Sequence, residues 1–148
     1  MRRSDAAPRR PIRRALSILL LMLAGTAGAE DQRTLVNMPA MMQTHMLANM
    51  RDHLTAIDTI LKALNEGRFD AAAEVAEQRL GMSSLDDHGA AHMAPLMPEG
   101  MRAAGGQMHR AASRLALRAQ EEDAAAAYAA LGDVTTACVN CHATYRIR

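Results

Sequence analysis

Between residues 38 and 64, Leu47, Met50, Leu54, Ile57, Leu61 and Leu64 recur at three- and four-residue steps, the period of a helix with one apolar face. Met38, Met42 and Met46 extend an adjoining stripe toward the N-terminus, and Pro39 falls in the first turn, where proline is tolerated. The pattern breaks at Asn65-Glu66-Gly67-Arg68, with Gly67 suited to a C-cap. A second helix is predicted over 69–80: Phe69, Ala72, Ala73, Ala76 and Leu80 face inward, while Glu74, Glu77, Gln78 and Arg79 face water. Residues 81–100 are irregular, being interrupted by Gly81, Gly89, Pro95, Pro98 and Gly100. The third predicted helix, 99–119, is weakened by Gly105-Gly106 and apolar along Met101, Met108, Ala112, Leu115 and Ala119. The fourth begins near Glu121, in an acidic cluster that suits a helix N-terminus, and runs through Tyr128, Leu131 and Val134 to Cys138 and Tyr145. No strand is predicted. Helices joined by short first and third links fold most simply as an all-α, antiparallel four-helix bundle, with the longer middle stretch crossing one end.

Residues 1–29 fit none of this periodicity. Six arginines precede an apolar run from Ala15 to Gly25, and Ala27-Gly28-Ala29 offers small residues for cleavage before Glu30. That is the layout of a secretory signal peptide, and the run is short for a permanent span, which needs roughly 20 residues. A retained N-terminal anchor is the alternative. Cleavage would leave residues 30–148 as one exported domain, in a bacterial periplasm, with no membrane attachment.

Composition changes the picture twice. The chain carries 17 basic and 16 acidic residues; six basic and one acidic residue fall within 1–29, leaving 11 against 15, or a net charge of −4. An acidic domain argues against nucleic acid or an anionic membrane as partner. Aromatic residues are almost missing, at two tyrosines, one phenylalanine and no tryptophan, whereas methionine is abundant at 12. Such a chain has little side-chain volume with which to fill a core. A large apolar prosthetic group would supply it, and the chain without that group is expected to fold weakly.

The candidate chemistry lies at the end of the chain, in Cys138-Val139-Asn140-Cys141-His142. Cys-x-x-Cys-His is the attachment pattern of c-type haem. Residues three apart share a helical face, so both thiols can add to the vinyl groups on one porphyrin edge while the adjacent imidazole reaches the iron. A thioredoxin-like redox pair would need a βαβ setting, and zinc would need a second ligand pair. A disulfide across so tight a ring would staple little. Thioether bonds account for both cysteines and leave none over.

The tail from Leu131 to Arg146 resembles that of the class II cytochromes c, the cytochrome c′ family, whose pattern Cys-x-x-Cys-His-x-x-Tyr/Phe-Arg is matched at Cys138, Cys141, His142, Tyr145 and Arg146. The long first helix and the Gly67-Arg68-Phe69-Asp70 opening of the second are looser likenesses. The resemblance implies a four-helix bundle with one haem c on its last helix, held through Cys138 and Cys141. It implies His142 as the proximal iron ligand and Arg146 near the haem.

In that family the residue opposite the proximal histidine comes from the first helix and decides function. Methionine gives a six-coordinate electron carrier; a non-ligating residue leaves an open site for nitric oxide or carbon monoxide. Counting back from Phe69 favours Met50, and matching Met42-Gln43 to the family's common Arg-Gln pair favours Met46. His45, His53 and an open site remain alternatives. The expected function is periplasmic electron transfer with His/Met ligation, without enzymatic activity. The expected partner is a redox protein with a basic surface, and a homodimer through the first two helices is a further family habit. A separate expectation concerns His88, His92, Met93, Met97 and Met101, whose thioethers and imidazoles are donors suited to copper.

Overall fold

The structure, a computed structural model, describes residues 30–148; the predicted export segment, 1–29, lies outside them. The elements in order are β1 (Thr34–Leu35), α1 (Ala40–Asn65), α2 (Phe69–Arg79), a 3-10 turn (Met82–Ser84), α3 (Ala90–Met93), a second 3-10 turn (Ala94–Leu96), α4 (Glu99–Gln120), α5 (Ala124–Thr144) and β2 (Tyr145–Arg146). The four long helices are those expected from periodicity. α3 and the 3-10 turns are the crossing stretch.

Local chemistry sets the boundaries. Pro39 stands as the N-cap of α1 rather than in its first turn, with ψ of 145°, and its carbonyl accepts from Gln43 N at 3.0 Å. At the other end Gly67 takes φ of +70°, donating to Leu64 O at 3.1 Å while Arg68 donates to Ala63 O at 2.8 Å. That left-handed step is open to glycine at little cost. The acidic cluster divides differently from expectation. Glu121 caps α4, Glu122 makes the turn with φ of +57°, and Asp123 caps α5, its Oδ1 accepting from Ala125 N and Ala126 N. Gly105 and Gly106 do not interrupt α4, because the buried residues on either side outweigh a helix cost of about 0.5–1 kcal/mol per glycine.

The face of α1 is the main correction. The predicted stripe is buried only in part: Leu64 enters the core and Ile57 packs against it, but Leu54 is 70 % exposed and Leu61 41 %. The buried positions are Met46, His53, Ala56, Ile60, Ala63 and Leu64, a stripe rotated toward smaller side chains. The partners explain the rotation. α2 offers Ala72, Ala73 and Ala76, α4 offers Ala111, Ala112, Ala116 and Ala119, and α5 offers Ala127 and Ala137. Helix separation follows the size of the contacting side chains, so small faces bring the axes together around Ile60, Leu80, Leu115 and Val134.

A second apolar cluster occupies the other end: Val36, Met38, Met46, Met93 and Met101, with Met42, Met50, Met97, Cys141 and Tyr145 against it. There the spacing is set by long, unbranched side chains that fill irregular space. α1 packs closely on α2, and α4 on α5. Among the described residues, α1 makes no comparably close backbone approach to α4 or α5.

Ile60→Ala should therefore cost roughly 2–5 kcal/mol, whereas Leu54→Ala should change stability by no more than about 0.5 kcal/mol. Urea midpoints of the two variants measure this. Equal losses would restore the leucine stripe to the core.

Candidate functional site

Cys138 and Cys141 sit in the last two turns of α5, one turn apart on one face, and both are free thiols, half-buried. Cys138 packs against the alanine-rich core and Cys141 against the methionine cluster. Burial pushes both thiols above their ordinary range, and the neighbouring Cys138 adds to the effect at Cys141. His142 follows in the last turn, exposed, its carbonyl accepting from Arg33 Nη1 at 3.4 Å.

The predicted fourth helix stops short of its expected end. Tyr145 and Arg146 are extended and pair in parallel with Thr34 and Leu35, and Val36 N donates to Arg146 O at 2.7 Å. This two-residue ladder, invisible to any periodicity test, ties the C-terminal tail to the segment before α1. Gly100 lets Tyr145 come close: a Cβ there would collide with the phenol oxygen.

Between α1, the crossing stretch, α4 and the tail lies a cavity of about 370 Å³, within the range of roughly 300–1,000 Å³ usual for cofactor sites. Its walls include Met46, Asn49, Met50 and His53 of α1, and His88, Met93 and Met97 of the crossing stretch. Met101, Gly105, Met108 and His109 of α4 complete it, with Cys141, His142, Tyr145 and Arg146. The site thus brings together Cys141, His142, Arg146, Met46 and Met50. Cys138 is not part of the lining but stands one turn before Cys141. His45 also lies outside the lining, its Nε2–H donating to His88 O at 2.8 Å. Of the copper candidates, His88, Met93, Met97 and Met101 face the cavity, whereas His92 is exposed and does not.

The donor set fits a covalent haem. Two thiols share one helical face and an imidazole follows directly. The opposing wall is rich in thioethers, and the gap lies where α1 stands off from α4 and α5.

Sequence reasoning missed His109, and it placed Met108 on the apolar side of the third helix without assigning it to the site. They lie at steps of eight and seven residues from Met101, the spacing of one helical face, yet a histidine there reads as polar and was left out of the apolar side. His109 is 9 % exposed, with Nδ1–H donating to Leu80 O at 2.8 Å. It shares the cavity with His53, 7 % exposed, and half-buried His88. Burial holds the His53 pKa down at about 4, with repulsion from His88 and His109 adding to it, and burial likewise lowers that of His88. Asp52, beside His53, is kept below the usual carboxylate range by its hydrogen bond to Arg79.

Residues 32–146 match the sequence profile of the family described as Cytochrome C′. The chain belongs to the cytochrome c′ family. Among curated proteins and among solved structures, none matches the chain significantly. Covalent c-type haem is the prosthetic group of this family, and the chain has two cysteines, Cys138 and Cys141, to hold it. The all-α bundle agrees with the family's fold. This cytochrome c′ chain is accordingly a c-type haem cytochrome. Among its described residues, no helix is long and apolar enough to cross a membrane.

The His53 value sets a pH window. Its pKa falls from the ordinary 6.5 to about 4 on folding, so between those values the unfolded chain binds more protons than the folded one. The stability tied to the neutral ring is complete above pH 6.5 and is lost as pH falls toward 4. Asp52 acts in a lower window, below its ordinary 3.8. Between pH 7 and 4.5 the protein should lose on the order of 2 kcal/mol through His53, and His53→Gln should lose correspondingly less. Urea titrations at both pH values decide this; parallel losses in both proteins would refute it.

Proposed function

We propose that this cytochrome is a periplasmic electron carrier whose iron is held by His142 on one side and a methionine of α1, Met46 or Met50, on the other. The observation that carries the reading is that both methionines and His142 line one cavity. When bound, haem supplies a reversible one-electron couple, and a thioether opposite an imidazole raises its potential. The chain's own part is to hold, orient and shield. Cys138 and Cys141 furnish the thioether bonds from one face of α5. The methionine cluster keeps the surroundings apolar and limits water, so little rearranges as charge changes. Arg146, held on the β1–β2 ladder, places a guanidinium at the cavity wall.

Several further parts of the proposal rest on sequence. The arginine-rich, apolar residues 1–29 support export, as is typical of the family. The net charge of −4 outside that segment favours a basic redox partner, bound briefly and in a salt-sensitive way. The outward leucines of α1, Leu54 and Leu61, are where a second copy would pack if the family's dimer forms. Members of the family are generally non-enzymatic haem-binding proteins, which supports a non-enzymatic role.

The test is the optical spectrum of haem-loaded protein, oxidised and reduced, with and without carbon monoxide. The wild type should be low-spin and slow to bind carbon monoxide. Either Met46→Leu or Met50→Leu should turn it high-spin and open to the gas, while the other variant keeps the parent spectrum. A wild type that is already high-spin and binds carbon monoxide readily would replace this reading with gas binding at an open iron.

A further inference from the structure

Three imidazoles from three separate segments meet at one end of the cavity. His53 lies on α1, His88 in the crossing stretch and His109 on α4, with ring centroids 4.7, 5.5 and 6.0 Å apart. Electron transfer at the haem calls for none of them.

Their hydrogen bonds leave ring nitrogens available. A carbonyl can only accept, so His109 Nδ1 carries the proton given to Leu80 O, and its Nε2 keeps a lone pair when the ring is neutral. The hydroxyl of Ser84 spends its one proton on Gly81 O at 2.7 Å. It has none left for His88 Nδ1, 3.3 Å away, so Ser84 does not occupy the lone pair of that nitrogen. His53 Nε2 and His88 Nδ1 face each other at 3.5 Å, at a ring tilt of 60°. That is long for a hydrogen bond. It is close to the ~3.3 Å between two nitrogens that each stand ~2.0–2.1 Å from one tetrahedral ion.

The crossing stretch is built to hold His88 in this place. Its carbonyl accepts from His45 Nε2 at 2.8 Å and Asn49 Nδ2 at 3.0 Å, both on α1. The next residue, Gly89, turns with φ of +63°, and a Cβ there would stand 3.0 Å from His45 Nε2. The backbone of His88 is therefore clamped to α1 independently of its ring, which is left to face His53.

The available donors select the metal. No three His, Cys, Asp or Glu side chains among the described residues converge on one point, so a hard or all-nitrogen cage is not formed. The same cavity wall holds thioethers instead, and buried Met108 precedes His109 on α4. Two imidazoles and a thioether are a donor set for Cu(I). Burial keeps the His53 ring neutral at neutral pH, the form a metal requires.

We infer that His53 and His88, completed by a soft donor of α4, form a second metal site that takes Cu(I). It stands apart from an iron held by Met46: His53 is seven residues beyond Met46, roughly 10 Å along the helix axis, against three residues or roughly 4.5 Å from Met50, and it is on a different element from His142. It also differs from a site within residues 88–101 alone, since it excludes His92.

The experiment uses haem-loaded protein, stripped with a chelator and titrated with Cu(I) against bicinchoninate, with copper and haem counted in the same samples. One copper per haem should bind. His53→Gln and His88→Ala should each weaken copper binding at least tenfold. His92→Ala should bind as the wild type does. Met108→Leu tests the α4 donor: it should weaken binding, and unchanged binding would overturn a soft donor from α4. Absence of copper beyond competition, or equal loss in His92→Ala, would overturn the site. So would a haem that turns from low-spin to high-spin in His53→Gln, since that would make His53 an iron ligand.

Discussion

Alanine sets the distances in this bundle. Where Ala56, Ala63, Ala72, Ala76, Ala112 and Ala119 face their neighbours, α1 closes on α2, α2 on α4 and α4 on α5 around a few large side chains such as Ile60 and Leu115. Dispersion contacts are individually small and require density, and short side chains reach that density only when the axes are near. At the other end methionine takes over, and there the helices enclose a cavity of about 370 Å³. One end of the molecule is packed by its own backbone proximity; the other is shaped to surround something else. The near-absence of aromatic residues fits this division, because a flat apolar group bound in the cavity would do what aromatic side chains do in most small cores.

The motif that holds that group needs a fixed direction. Cys138, Cys141 and His142 lie at the very end of α5, where a helix would ordinarily fray. The ladder between Tyr145–Arg146 and Thr34–Leu35 continues the hydrogen bonding past the helix end, and the absence of a Cβ at Gly100 lets the Tyr145 ring dock against α4. Two residues of strand are too few to stabilise anything alone. They serve because both partners are already anchored, one by α5 and the other by Val36 and Met38 in the methionine cluster.

The histidines show the cost of building polar groups into such a wall. His53 and His109 are buried with few close partners, and desolvation makes protonation unfavourable at His53. The Arg79–Asp52 pair sits next to this cluster at the surface of α1 and α2, so a negative charge lies nearby without entering the cavity. Its attraction for a proton on His53 is weaker than the combined effect of burial and the two neighbouring rings.

By itself the sequence determined what depends on local spacing: four long helices within a few residues of their ends, the Gly67 stop, and the Cys138–Cys141–His142 constellation on the last helix. Each is a matter of neighbours along the chain, and steric and capping rules act there without reference to the fold. Only tertiary structure decided which face of α1 is buried, because leucine outranks alanine in hydrophobicity but not in fit against an alanine partner. It also decided that Tyr145 and Arg146 leave the helix for a strand, since a two-residue ladder has no pattern of its own. The meeting of His53, His88 and His109 was out of reach for the same reason. Residues 56 positions apart become neighbours only when three elements close on one cavity.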